Sequence, residues 1–236
     1  MLNAIASNIP SELSVDDPRF PEKLRATSFS MSKIWVKGNL DILDKPAVGI
    51  CGARNASPIG LGHAKKFGQM AAEYGIAVVS GYSRGVDINA HFGALEAGGC
   101  TIAVLPEGIN GFKLRRELTG IHDIWSKLLV VSEFEPSHPW TVWRAMKRNA
   151  TICGLADATV VVEAGQTGGT IAAGNECLRQ HKPLWVINYE DVPSSALGNA
   201  QLITLGGVPL HSLRELREMM EQVTLVQTRT HICLSN

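Results

Sequence analysis

The chain has 236 residues, of which 45% are hydrophobic and 19% charged. That is enough apolar mass to bury one large core and too little charge for a disordered chain. Its 22 basic and 22 acidic side chains cancel, so the molecule as a whole exerts no long-range pull on a polyanion, and any nucleic-acid site has to be local.

The first residues carry no basic segment followed by a long apolar run, and no stretch approaches membrane-spanning length, which predicts a soluble, cytoplasmic chain without membrane contact. Residues 1–45 read as a lead-in segment, with Ile34-Trp35-Val36 as an edge strand before a turn at Gly38-Asn39. From residue 46 to 223 the pattern is that of one core. Short apolar runs at 47–51, 76–80, 100–105, 128–132, 158–162 and 184–188 have strand length. Helix-like stretches at 59–74, 86–97, 140–155 and 170–181 alternate with them, and Pro58 and Gly98-Gly99 serve as start and stop signals. The alternation predicts an α/β chain, a Rossmann-like three-layer fold whose mostly parallel sheet is joined by right-handed crossovers. Residues 197–207 read as a loop, followed by one short strand and a closing amphipathic helix over 211–223. Residues 224–236 read as a frayed strand or tail.

Ligands of open parallel sheets bind beyond the carboxyl ends of the strands, so the residues that follow each run are the ones to read for function. Three such loops are rich in glycine: 52–58, with Gly52 and Arg54; 81–87, with Gly81, Tyr82 and Arg84; and 163–170, with Gly168, Gly169 and Thr170. Glycine lets main-chain N–H groups approach an anion, and a helix that starts just afterwards adds its positive end. The arginines suit phosphate oxygens and can stack on bases. Arg144, Lys147 and Arg148 fall three and four apart and should share one helix face. Lys113, Arg115 and Arg116 form a further basic run that reads as surface charge. Of the aromatic residues near these cations, Tyr82 and Phe112 are the better stacking candidates, since Trp140 and Trp143 have the helical spacing of core residues.

Catalytic readings find less support. Ser80, Ser83, Asp87 and His91 lie close in sequence, but no GxSxG elbow surrounds either serine. Asp87 and His91 read as a loop-bracing pair, and no catalytic residue is assigned. The seven histidines show no metal-binding spacing, and the five cysteines, Cys51, Cys100, Cys153, Cys177 and Cys233, include no CxxC pair. They read as buried thiols of a reducing compartment. A GxGxxG fingerprint is absent, because Arg54 stands where pyrophosphate needs a second glycine. Neither a metal nor a cofactor is expected.

Linked motifs then carry a resemblance. Gly52-Ala53-Arg54, Val79 through Asp87 with Ala90-His91, Ala94 through Gly99, Arg148-Asn149, Gly154 through Ala158 and Val161-Val162-Glu163-Ala164 stand in the order and spacing of the DNA-processing protein A (Smf) family. Phe20-Pro21-Glu22-Lys23-Leu24 and residues 34–39 resemble the segment that precedes that core. The resemblance implies an extended Rossmann fold that is not an enzyme. It would hold single-stranded DNA in a positive pocket during natural transformation or recombination, act as a homodimer and help load the recombinase RecA. Carried onto this chain, the pocket would use Arg54, Arg84 and Arg148 with backbone amides of Gly52, Gly81, Gly168 and Gly169, and Asn149 and Thr170 would stand beside them. The sequence departs from the family in three places. It is too short for the flanking helical and winged-helix domains of many members. Arg148-Asn149-Ala150 has one cation fewer than the family's Arg-Asn-Arg, a loss that Lys147 would make good. Glu107 puts a negative charge near the phosphate path. The alternative reading is a nucleotide-binding or nucleotide-hydrolysing enzyme, or a nucleotide sensor, resembling the lysine-decarboxylase-like (LOG) proteins, with Glu107 or Glu163 assisting attack at a sugar. Against it, Ala173 stands where that family has its catalytic glutamate.

Overall fold

Strands that are covered on both faces need no polar alternation, and the short apolar runs of this chain fold accordingly. In a computed structural model that describes residues 7–27 and 31–234, the elements in chain order are β1 (Ser7–Ser14), α1 (Glu22–Arg25), β2 (Lys33–Gly38), β3 (Ala47–Cys51), α2 (Pro58–Glu73), β4 (Ala77–Ser80), α3 (Val86–Glu96), β5 (Thr101–Val104), α4 (Ile124–Lys127), β6 (Leu128–Ser132), α5 (Val142–Leu155), β7 (Ala158–Val161), α6 (Gly169–Arg179), β8 (Leu184–Ile187), α7 (Asn199–Thr204), β9 (Val208–Leu210) and α8 (Leu213–Leu234). All of these strands join one sheet in the order β1-β2-β6-β5-β4-β3-β7-β8-β9. From β6 across to β9 every neighbouring pair is parallel. β2 runs antiparallel to both β1 and β6. The α/β, Rossmann-like reading is correct.

Alternate residues of each strand serve opposite faces. Val48, Ile50, Val78, Val160 and Val162 pack beneath α2, α3 and the first turns of α8. Ala47, Cys51, Ala77, Val79, Ile102 and Val104 face the other way, toward Ile152 and Leu155 of α5 and Ala173 of α6. The chain leaves β3 toward β4, β5 and β6 on one side and returns to place β7, β8 and β9 on the other. The sheet therefore has its switch point between β3 and β7, where doubly wound folds open a ligand crevice. Among the described residues no helix is long and apolar enough to cross a membrane.

Three expectations need correction. β2 is not an edge strand, because β1 pairs outside it. β1 escapes a sequence reading since SNIPSELS holds a proline and no apolar run, and its pairing register shifts between Ser7 and Ser11. The segment read as the loop 197–207 contains α7, which is held by one buried polar side chain. Asn199 Oδ1 accepts the Ala164 N–H, and its Nδ2 donates to Val162 O and Ile187 O at 2.8–2.9 Å. Residues 224–234 continue α8 and form neither strand nor frayed tail. The threonines there favour strand, but a helix already under way adds one backbone bond per residue and overrides that bias.

Helices α2 and α3 come into backbone contact at two glycines. A Cβ on Gly68 would lie 2.2 Å from Ala90 O, and one on Gly93 would lie 2.1 Å from Lys65 O. In an open helix Gly→Ala stabilises by about 1 kcal/mol, but here the methyl group has no room. Gly93→Ala should instead destabilise by about 1–3 kcal/mol through overpacking, read from the midpoint of urea unfolding. Stabilisation would mean that the two helices can spread freely.

Candidate nucleic-acid interface

The loops that follow β3, β4 and β7 meet over the switch point, and buried polar groups hold them. Glu163, at the end of β7, is fully buried. Its Oε2 accepts the Ser57 N–H at 2.8 Å and the Ser195 hydroxyl at 2.6 Å, and its Oε1 accepts the Ser57 hydroxyl. Its backbone carbonyl takes the Ala53 N–H at 2.7 Å. Ser57 in turn caps α2, accepting the Gly60 N–H, with Pro58 in the first turn. Glu163 thus joins the loop after β3 to that after β7 and to a third that follows β8. It was expected, in the nucleotide-hydrolysing alternative, to face a sugar. Its engagement with serines and its burial do not favour that reading.

The loop after β4 rests on Arg148. This guanidinium is 6% exposed and donates from Nη1 to Val104 O at 2.8 Å. Gly81 lies directly over it, and a Cβ there would overlap Nη1 at 2.1 Å. Burial lowers the Arg148 pKa while the nearby Asp87 opposes the shift. Asp87 accepts the Ser83 N–H at 3.2 Å, and burial raises its own pKa against the pull of Arg148. Tyr82 takes a left-handed φ of 58°, uncommon for a bulky residue. Arg115 secures it by donating Nε–H to Tyr82 O at 3.0 Å and its backbone N–H to the Tyr82 hydroxyl at 2.9 Å. Gly85, with a φ of 84°, then opens α3.

On this scaffold Arg54 and Arg84 are exposed and take no hydrogen bond or ion pair with the described residues. They flank a groove with two lobes that share Arg54, Gly81, Ser83 and Trp140. One lobe, of about 480 Å³, runs toward Glu107, Phe112 and Lys113. The other, of about 520 Å³, runs toward Gly52, Asn149, Gly169 and Thr170. Gly168 has a φ of 103°, which favours glycine, whereas at Gly169 an added Cβ would meet open space. Nothing in the fold itself explains the second glycine, while close approach of a ligand to the backbone would.

Several residues stand away from their expected places. Lys147 is absent from both lobes. Its Nζ pairs with Glu133 at 2.9 Å and lies over the rings of Phe134 and Trp143. Arg144 shares that side, donating to Pro139 O and lying over Phe134, but Arg148 turns inward beneath the sheet edge, so the three cations do not share a face. Asn149 is buried and donates to Gly169 O at 3.2 Å, tying α5 to the start of α6. Asp87 and His91 brace different partners and not each other. His91 Nδ1 lies 2.5 Å from the Thr101 hydroxyl. The aromatic ranking is altered in part, since Phe112 lines the first lobe but Trp140 lines both. Tyr82 is 7% exposed, while Trp140 and Trp143 are 48% and 63% exposed beside Val142 and Met146. The sequence signal for this was Pro139-Trp140-Thr141: Thr141 caps α5, so Trp140 precedes the helix and its spacing is not a helical one. Ser195 was not foreseen, since it lies 32 residues from its partner with no pattern to link them.

A family model described as DNA recombination-mediator protein A matches residues 12–223. The DNA processing protein DprA of Streptococcus pneumoniae is 30% identical over 174 residues, which cover 74% of this chain and 61% of that protein. The chain thus spans about three-fifths of the length of this relative. The X-ray structure of the Streptococcus pneumoniae protein superimposes with a TM-score of 0.76 at 28% identity, covering 86% of this chain and 71% of that one. The DNA processing protein A of Helicobacter pylori, whose structure concerns that protein's single-stranded DNA binding mode, gives a TM-score of 0.78 at 22% identity, covering 92% of this chain and 99% of that one. At that identity the likeness concerns the fold alone.

His91 supplies a pH test of the scaffold. Burial, with Arg115 and Arg148 nearby, pushes its pKa down to about 3, whereas an unfolded histidine titrates near 6.5. Between these values the unfolded chain binds more protons, so stability is full above about 6.5 and falls as the pH drops, by at most about 1.4 kcal/mol per unit. Urea unfolding from pH 7 to 4.5 should show a shallower loss for His91→Asn than for the wild type. Asp87 is present in both proteins and cancels in the difference. Equal slopes would show that a charged His91 is tolerated.

Proposed function

The chain belongs to the DNA recombination-mediator protein A family, and on that premise we propose that it holds single-stranded DNA in the groove over the switch point without catalysing a reaction. The observation that carries this reading is the pair of unpaired, exposed arginines, Arg54 and Arg84, on two loops fixed from beneath. Backbone phosphates lie against these guanidinium groups and against the N–H groups of Gly52, Gly81, Gly168 and Gly169, while Asn149, Arg148, Asp87 and His91 keep the loops in place. Thr170 adds a hydroxyl at the start of α6. Trp140, between the two lobes, offers a face on which a base stacks, which is sequence-tolerant because every base has such a face.

The strand handled in this way belongs to DNA uptake or recombination, in the cytoplasm, where a homodimer passes it to the recombinase RecA. The name of the Streptococcus pneumoniae relative supports the DNA-processing part of this reading, and the Helicobacter pylori structure supports the ligand. The net-neutral composition fits a pocket that works by local contact and not by long-range steering.

Fluorescence anisotropy with labelled oligothymidylate over a salt series tests the reading. Each phosphate contact contributes a log-log slope of about −0.7, so Arg54 and Arg84 together give about −1.4. Arg54→Ala should weaken binding and bring the slope back by about 0.7. Trp140→Ala should cost about 1–3 kcal/mol with the slope unchanged. Strand binding that ignores both salt and Arg54→Ala, or no strand binding but direct binding of a labelled mononucleotide, would overturn the proposal.

A further inference from the structure

One face of α5 lies outside the groove. Val142 and Met146, four residues apart, line the lobe that holds Gly169. Trp143 is one position further round the helix and exposed, and with Arg144 and Lys147 it is absent from both lobes. It is held in place all the same. Its ring meets the buried Phe134 at 6.3 Å between centroids, and Lys147 Nζ lies 5.5 Å from the indole centroid. Arg144 lies over Phe134 and donates to Pro139 O, with no carboxylate partner among the described residues.

Aromatic side chains set among cations make the kind of surface that holds a single strand without reading its sequence, since bases stack on the rings while the cations track the phosphates. A protein occupant suits this face less well, because lysine is depleted in protein interfaces. The carboxylate that pairs Lys147 is withdrawn from a strand's path: the Glu133 side chain is 5% exposed and accepts the Thr151 hydroxyl at 3.0 Å. The face is also continuous with the groove. Trp140 lines both lobes, and its place three residues before Trp143 keeps their Cα atoms within about 11 Å. That span is roughly three nucleotides of a stacked strand at about 3.4 Å each.

We propose that this face of α5 is a second strand-binding surface, where a single strand leaving the groove past Trp140 stacks a further base on Trp143 and lays a phosphate against Arg144. The proposal rests on the strand-binding reading above. Lys147, expected in the pocket, serves here by neutralising Glu133 and bracing the Trp143 ring.

The test titrates the wild type, Trp143→Ala and Trp143→Phe against labelled oligothymidylates of graded length, beginning with the shortest whose binding Arg54→Ala weakens. Trp143→Ala should bind that shortest strand as the wild type does and the longer ones about tenfold more weakly, the effect of one lost stack. Trp143→Phe, which keeps a ring, should recover most of the loss. Additional registers on a longer strand favour all three proteins alike and cancel in the ratio. On the wild type, a long strand carrying 5-iodouracil should photo-cross-link to Trp143, and the shortest should not. Equal loss at every length, or no loss at any, overturns the second surface while leaving the groove intact. A change of oligomeric state on Trp143→Ala in sedimentation without DNA overturns it in favour of a contact between copies of this chain. Where no strand is bound, or none responds to Arg54→Ala, both readings fall.

Discussion

At the carboxyl edge of the sheet, the Glu163 carboxyl group is closed off from water and surrounded by donors from elsewhere in the chain. Burying such a group without partners costs several kcal/mol, so the fold is stable only with Ser57 and Ser195 turned toward it. That requirement shapes the switch point. It sets the start of α2, because Ser57 is also the helix cap, and it fixes the direction in which the loop bearing Arg54 leaves β3. It also leaves no room for a side chain at Gly60, where a Cβ would lie 2.2 Å from Glu163 Oε1.

The same economy recurs one strand away. Arg148, a cation that would be expected at the ligand, is spent beneath Gly81 with Asp87 beside it. A strained Tyr82 is fastened by Arg115. Buried charges and hydrogen bonds thus rigidify the loops from within, and the exposed arginines are left free to meet a ligand. Preorganised donors of this kind lower the ordering cost of binding. A chain with equal numbers of acidic and basic residues can thus present cations at a groove, because Arg54 and Arg84 take no ion pair among the described residues while Lys33, Lys65 and Lys147 are paired with carboxylates elsewhere.

The apolar rim follows from where α5 begins. Its first turn and the preceding Trp140 lie at the rim of the sheet, so Trp140, Val142, Trp143 and Met146 stay largely exposed, with Trp143 resting on the buried Phe134. Contiguous exposed apolar surface of this kind marks a site of interaction, and it adjoins the groove through Trp140.

The order of the strands and of the longer helices from residue 47 to residue 187 was legible in the sequence, though not the single turn of α4, because apolar runs bounded by glycine and proline are local signals that survive into the fold. Two of the six predicted strands, at 47–51 and 128–132, have the limits found in the structure. The glycine loops were legible for the same reason, and with them Arg54 and Arg84, which protrude whatever lies beneath. The sequence by itself therefore determined the fold class, the edge of the sheet that carries the groove, and two of its exposed cations, while Lys113, read as surface charge, joins them only in the fold. What it left open depended on partners distant in the chain. The pairing of β1 outside β2 rests on backbone hydrogen bonds and on the single buried Leu13, which leave little pattern in a sequence. The inward turn of Arg148, the capture of Lys147 by Glu133, the joining of Ser57 to Ser195 through Glu163 and the exposure of two tryptophans were decided only when helix and sheet packed. A side chain's environment is the sum of neighbours brought together by the whole topology, and no local pattern of residues records it.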